Sequence, residues 1–234
     1  MTMPRTPAVL TGHIGRVRLF QELMTDSVTV SGLPCLAVRG NVDGAPILVL
    51  GTGMGGPATV RATHAVAELG CHVVIRAGGA GPVAPDTKTG DLLVATAAVR
   101  HEGASDGYLP DGWPALADPD VVAALCRATL DFGERYKAGV VHSKDSFFGE
   151  IDPMSSPVSE VLLQRWSAWV RLGVLGSEME AAALFAVASH LGLRAGAILR
   201  VNDVDKQAGN DNEPERQLCR IVLRAAAALG TSDD

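Results

Sequence analysis

The sequence predicts a single α/β domain, residues 1–234, built on a largely parallel or mixed sheet. Three observations predict it. Apolar runs of strand length alternate with segments whose apolar residues recur at helical spacing, and no composition break separates them. Apolar residues make up 47% of the 234 positions, enough for a full core and too many for a disordered chain. Glycine fills 26 positions while aromatics reach only 4%. That balance suits tight strand-to-helix turns and close helix packing better than an all-β sandwich.

The elements follow in order. Ala8 to Thr11 reads as a strand, Arg16 to Met24 as a helix and Val28 to Val38 as a strand. Pro46 to Leu50 (PILVL) is a short buried strand with a glycine-rich turn behind it. Pro57 to Leu69 has helical periodicity and is stopped by Gly70. His72 to Ala77 is a strand ended by Gly78-Gly79, and Asp91 to Val99 is another. A helix over 118–132, a strand over Gly139 to Ser143 and a helix over Val158 to Val170 come next. The last three are an alanine-rich helix from Glu180 to Leu191, a strand from Ala195 to Val201 and a long helix from Glu213 to Leu229. The polar stretches 101–119 and 203–214 read as loops.

Charge and cysteine usage narrow the function. Twenty Lys and Arg against 26 Asp and Glu give a net charge of −6, so bulk attraction to nucleic acid or an anionic membrane is excluded. An anion must instead be gripped by a few placed arginines. The cysteines at 35, 71, 126 and 219 form no CxxC pair, the six histidines are scattered, and no H-E-x-x-H occurs. No metal site is expected. No apolar signal region follows Met1 and no run of about 18 apolar residues exists. A cytoplasmic protein that does not enter the membrane is expected.

Several motifs carry chemistry. Gly51-Thr52-Gly53-Met54-Gly55-Gly56 fits the dinucleotide fingerprint between a strand and a helix. The next strand, however, ends in Arg76 and glycines rather than an acid, so only an NADP reading survives, and a plain tight turn is preferred. Gly103-Ala104-Ser105-Asp106-Gly107 matches the serine-hydrolase elbow, but the proline-rich Tyr108 to Pro114 cannot form the helix that must follow. Gly12-His13-Ile14-Gly15-Arg16 and Arg76-Ala77-Gly78-Gly79 each pair an arginine with backbone amides at a strand end. Together they make a phosphate clamp. Glu178-Met179-Glu180 heads a helix, where acids suit the dipole. The same trio also suits a sugar, since carboxylates accept from neighbouring hydroxyls and a thioether packs on the ring.

In this order, the pieces resemble the nucleoside phosphorylase family of purine and uridine phosphorylases over nearly the whole chain. Besides the two arginine segments, Gly51 to Pro57 is similar to the family's central glycine turn and Lys144-Asp145-Ser146-Phe147-Phe148 to its base-stacking segment. Val99 to Ser105 resembles the uridine-phosphorylase branch, and Glu178-Met179-Glu180-Ala181-Ala182 the ribose motif. Asn202-Asp203-Val204 and Glu215-Arg216-Gln217 resemble the segments carrying a purine-handling aspartate and its arginine.

The resemblance implies a three-layer sandwich, with a twisted central mixed sheet flanked by helices. It implies phosphorolysis of a nucleoside, with inorganic phosphate as co-substrate, no cofactor, and a homodimer or a hexamer built as a trimer of dimers. Gly12, Arg16, Arg76 and Gly79 would bind phosphate. Glu178, Met179 and Glu180 would hold the ribose, and Phe147 would stack on the base. Asp203 would share a proton with the leaving base, tuned by Arg216, so Asp203, Arg216 and Glu180 are the expected catalytic set. Asp203 with Arg216 tilts the expected base toward a purine. Four features depart from the family pattern. Leu33 stands where a neighbouring subunit's phosphate arginine is expected, Gly79 replaces a Thr or Ser, no histidine precedes His13, and Ile151-Asp152-Pro153 stands where the uridine branch has its uracil-reading Gln and Arg. The alternatives are an N-ribosyl hydrolase using water, a uridine phosphorylase, and an inactive nucleoside-binding protein.

Overall fold

The computed structural model describes residues 6–202 and 213–231. Ten strands form one sheet: β1 (Ala8–Thr11), β2 (Thr25–Val30), β3 (Leu36–Val42), β4 (Ala45–Gly51), β5 (Val73–Pro82), β6 (Leu92–His101), β7 (Ala115–Leu116), β8 (Tyr136–Lys144), β9 (Gly176–Glu178) and β10 (Arg194–Val201). The helices are α1 (Ile14–Leu23), α2 (Gly56–Glu68), α3 (Pro119–Asp131), α4 (Phe148–Ile151), α5 (Ser159–Arg171), α6 (Ala181–Leu191) and α7 (Glu213–Gly230).

Strand periodicity builds the three layers. Along β4, Ile47 and Val49 enter one core, while Leu48 and Leu50 enter the other. Val73, Ile75 and Ala77 of β5 face the first core with α3 and α7; Val74 faces the second with α2 and α6. Both faces are covered, so these strands read as continuous apolar runs. The sheet is mixed: β1 runs parallel to β4 and β5, and β10 parallel to β5, whereas β10 pairs antiparallel with β6. The α/β sandwich expected from the sequence is therefore the observed fold.

β5 is the organising strand. On one edge it pairs with β10 from Val73 to Ala80. On the other it pairs with β1 up to Arg76, then with β9 at Gly81 and Pro82. The sheet forks between those two partners. The parallel strands β1, β4, β5 and β10 all end on that side, where α/β folds build their sites.

Four local expectations need correction. The strand expected over Val28 to Val38 is two antiparallel strands, β2 and β3, with Gly32 at φ +84° in the turn between them. Gly78-Gly79 does not end a strand in a free turn: both glycines lie inside β5, in register with Leu199 and Arg200. A Cβ at Gly78 would sit 2.8 Å from the Arg76 guanidinium and from Leu199 Cδ2, so a buried arginine beside the strand demands glycine there. The 101–119 stretch holds a single-turn 3₁₀ helix at Ala104–Gly107 and the short β7. Its turns are tied to Arg100, which donates to Ser105 Oγ and to the carbonyls of Leu109, Pro110 and Trp113. Three-residue β9 carries too little periodicity to be read.

Candidate active site

The site grows from the fork in the sheet. Arg76, on β5, is buried and reaches Glu178 and Glu180 together. Its Nε donates to Glu178 Oε2 at 2.9 Å and its Nη2 donates to Glu180 Oε2. Glu178 ends β9 and Glu180 occupies the N-cap position of α6, whose first amide, that of Ala181, donates to Glu178, so the two carboxylates meet the positive end of the helix as well as the guanidinium. The residue types expected to bind phosphate and ribose thus form one hydrogen-bonded cluster.

The two acids are not equivalent. Glu178 Oε1 accepts from Ser143 Oγ and the Ala181 amide, while Oε2 accepts from Arg76 and the amides of Glu180 and Ala181. A carboxylate has about four acceptor sites, so Glu178 is saturated. Glu180 Oε1 accepts from the Gly55 amide at 2.7 Å, and Oε2 from Arg76 and the Met179 amide. Glu180 keeps one acceptor site open. Gly55 stands at φ +88°, which aims its amide at that carboxylate. The glycine loop that resembles a dinucleotide fingerprint therefore presents this amide to Glu180.

Charge in the cluster is two acids against one arginine. Burial, then the neighbouring Glu178, pushes the Glu180 carboxyl above its ordinary range, while Arg76 pulls it back. Burial works against the Arg76 charge, but Glu180 and Glu178 outweigh it and hold the guanidinium protonated.

Arg16 lies one strand away. The Gly12-His13 turn leads from β1 into α1, and His13 Nδ1 accepts from the Gly15 amide at 3.1 Å as the N-cap. A Cβ on Gly12 would lie 3.1 Å from Gly53 O, so the two glycine loops press together. Arg16 Nη1 donates to Thr11 Oγ1 at 3.0 Å and to Ala77 O at 3.2 Å, which spans the fork. Its Nε and Nη2 both go to Glu215 of α7.

The remaining expected residues fall as follows. A Cβ at Gly79 would meet Asn202 Nδ2 at 2.6 Å, so the Asn202 amide fills the place a Thr or Ser side chain would take. Met179 is half-buried between Glu178 and Glu180. Phe147 precedes α4, 44% exposed, edge-on to Phe148. Arg216 binds Glu22 of α1 at 2.5 Å, and that bond holds its guanidinium charged. Asp203 lies outside the described residues. Sequence reasoning missed the supports: Ser143 on Glu178, Gly55 on Glu180 and Glu215 on Arg16. Glu215 and Gly55 left a signal, each lying in a segment already singled out; Ser143 left none.

Among the described residues no group of three or more His, Cys, Asp or Glu is placed to hold a metal, and no helix is long and apolar enough to cross a membrane.

The phosphorylase superfamily model matches residues 8–232. The chain is 38% identical over 193 residues to a uridine phosphorylase of Treponema pallidum, covering 80% of this chain and 75% of that one. It is 34% identical over 233 residues to a uridine phosphorylase of Escherichia coli, covering 96% and 92%. A guanosine phosphorylase of Halorubrum lacusprofundi is 33% identical over 236 residues, covering 95% and 93%. The chain belongs to the phosphorylase superfamily, the nucleoside phosphorylase family that its ordered motifs resemble. With that it is an enzyme of the glycosyltransferase class.

Proposed function

We propose that the protein is a uridine-type nucleoside phosphorylase, which cleaves the N-glycosidic bond with inorganic phosphate to give free base and ribose 1-phosphate. The single observation that carries the reading is buried Arg76 bridging Glu178 and Glu180 beside Arg16. Phosphate chemistry and sugar chemistry meet there in one cluster.

The geometry supports a division of labour. Glu178, saturated, holds the turn rigid. Glu180, with one open acceptor site, takes a ribose hydroxyl and keeps negative charge beside the oxocarbenium-like sugar as the base departs. Arg16 and Arg76 orient the phosphate for attack at C1′, and fixed orientation of two reactants lowers a barrier by several kcal/mol. Met179 lies under the sugar and Phe147 against the base. A homodimer, or a hexamer built as a trimer of dimers, is part of the proposal.

The preference for uridine over the purine expected from Asp203 and Arg216 rests on two relatives named uridine phosphorylases. Arg216, engaged with Glu22, adds no support for a purine site. The guanosine phosphorylase relative keeps a purine base as the second reading.

The test is base release from uridine, inosine and guanosine, each with and without phosphate. Uridine cleaved only with phosphate, yielding ribose 1-phosphate, is the expected result. Equal release without phosphate, yielding free ribose, makes the protein a hydrolase. Cleavage of guanosine or inosine but not uridine makes it a purine enzyme. Binding without release makes it a nucleoside-binding protein.

A further inference from the structure

A 430 Å³ cavity opens beside α5, lined in part by Trp166, Trp169 and Leu162, with His101, His142 and Lys144. It lies across β8 from the cluster described above. Ser143 faces Glu178, whereas His142 and Lys144, its neighbours in the strand, point to the opposite face. None of Gly12, Arg16, Arg76, Gly79, Met179 or Glu180 lines it.

The cavity floor is a hydrogen-bond chain with a fixed direction. Arg165 Nη1 can only donate, so His101 Nε2 accepts, at 2.7 Å. His101 Nδ1 then carries the proton and donates to His142 Nε2 at 2.9 Å. His142 Nδ1 in turn donates to Ser177 Oγ at 3.1 Å, and Ser177 donates to Glu150 at 2.6 Å. Lys144 bonds Ser177 at 2.8 Å and pairs with Glu150 at 2.5 Å. Both histidines are thereby neutral, and the Lys144 charge is spent on Glu150. Asp145 is engaged by the Gly103 amide at 2.9 Å.

Two charges in the lining lack an ionic partner among the described residues: Asp145, which accepts only from the Gly103 amide, and Arg165. Exposed Arg165 uses one of five N–H groups on neutral His101 and has no carboxylate partner among the described residues. It stands at the rim of a wall made by two indoles three residues apart on one helix face. Flat aromatic walls accept a flat ring, and a guanidinium accepts a carboxylate through paired hydrogen bonds. We propose that this cavity is a second ligand site, which takes a small aromatic ring carrying a carboxylate. Its wall includes Lys144 to Ser146 and Gly149-Glu150, which flank Phe147, so occupation reaches the base-stacking segment from behind.

Trp166 and Trp169 are two of only three tryptophans. In a Trp113→Phe protein, fluorescence therefore reports the cavity alone. The test titrates that protein with sodium benzoate and with neutral benzamide, then repeats both on Arg165→Gln. Benzoate is expected to change the emission saturably, and Arg165→Gln to weaken its binding about tenfold, a difference of about 1.4 kcal/mol, while leaving benzamide unchanged. Uridine is expected to bind alongside benzoate. No saturable response to benzoate overturns the proposal, as does an equal loss for both probes. Mutual exclusion of benzoate and uridine also overturns it, by assigning the cavity to the nucleoside site. The fluorescence arm needs no turnover, so it stands or falls apart from the catalytic reading.

Discussion

Glu215 holds Arg16 through a single oxygen: Oε2 lies 2.7 Å from both Nε and Nη2. With Thr11 and Ala77 on Nη1, every nitrogen of that guanidinium has a partner inside the chain. A phosphate arriving at Arg16 must share it with a carboxylate. Glu215→Gln removes the competing charge and keeps a hydrogen-bond acceptor. Its expected effect is a phosphate KM about fivefold lower, the equivalent of about 1 kcal/mol for a partly exposed pair, with the nucleoside KM unchanged. Initial rates over a phosphate series check it.

Glu180→Gln keeps the size and an acceptor but removes the charge that the proposed mechanism sets beside the developing cation. The expected loss is about 10²–10³ in kcat with an unchanged circular dichroism spectrum. A loss below about tenfold would reduce Glu180 to a helix-start residue.

Arg76→Ala is a different experiment, because it strands two buried acids without their counter-ion. Breaking a buried pair in this way costs about 3–5 kcal/mol. Urea unfolding should show that cost directly, and activity should be lost with it. Arg76→Lys restores charge without the fork geometry. It should recover stability ahead of rate.

Gly79→Ser tests why glycine stands there. The new Cβ meets the Asn202 amide at 2.6 Å, but that amide is a side-chain tip that can turn aside. Stability should change by less than about 1 kcal/mol in a thermal melt. The new hydroxyl, on the same strand as Arg76 and three residues beyond it, should lower the phosphate KM.

His142 gives a pH prediction. Burial first, then His101 and Lys144, pushes its imidazole down to about 3 from an ordinary 6.5. The unfolded chain takes up this proton as pH falls below 6.5, and the folded chain does not. The contribution to stability is therefore complete above 6.5 and is lost progressively between 6.5 and about 3. The slope is about 1.4 kcal/mol per pH unit. Urea midpoints from pH 7 to 4 should fall less steeply in His142→Asn than in the parent protein.

Much of this was legible because each strand obeys its period. PILVL and HVVIRA are apolar on both faces because α2 and α6 cover one side and α3 and α7 the other. Glu178-Met179-Glu180 stood out because acids and a thioether head an otherwise alanine helix. Three things were hidden. The turn between β2 and β3 lacks a two-residue hairpin signal. Gly78-Gly79 reads as a strand end, because sequence cannot show that Arg76 packs over the backbone. The partners of Arg16 and Glu180 lie 199 and 125 positions away in the chain, and no local pattern spans such distances.

The forked edge of β5 has a mechanical consequence. Arg16 belongs to the branch that follows β1, while Glu178 and Glu180 belong to the branch of β9 and α6. The span of β5 between its two partners, together with the Gly55–Glu180 hydrogen bond, would set the distance from phosphate to sugar in the proposed reaction. Thermal breathing that spreads the two branches separates the reactants while leaving each branch paired within itself. Heating should therefore silence the enzyme at a temperature where its secondary structure is still intact.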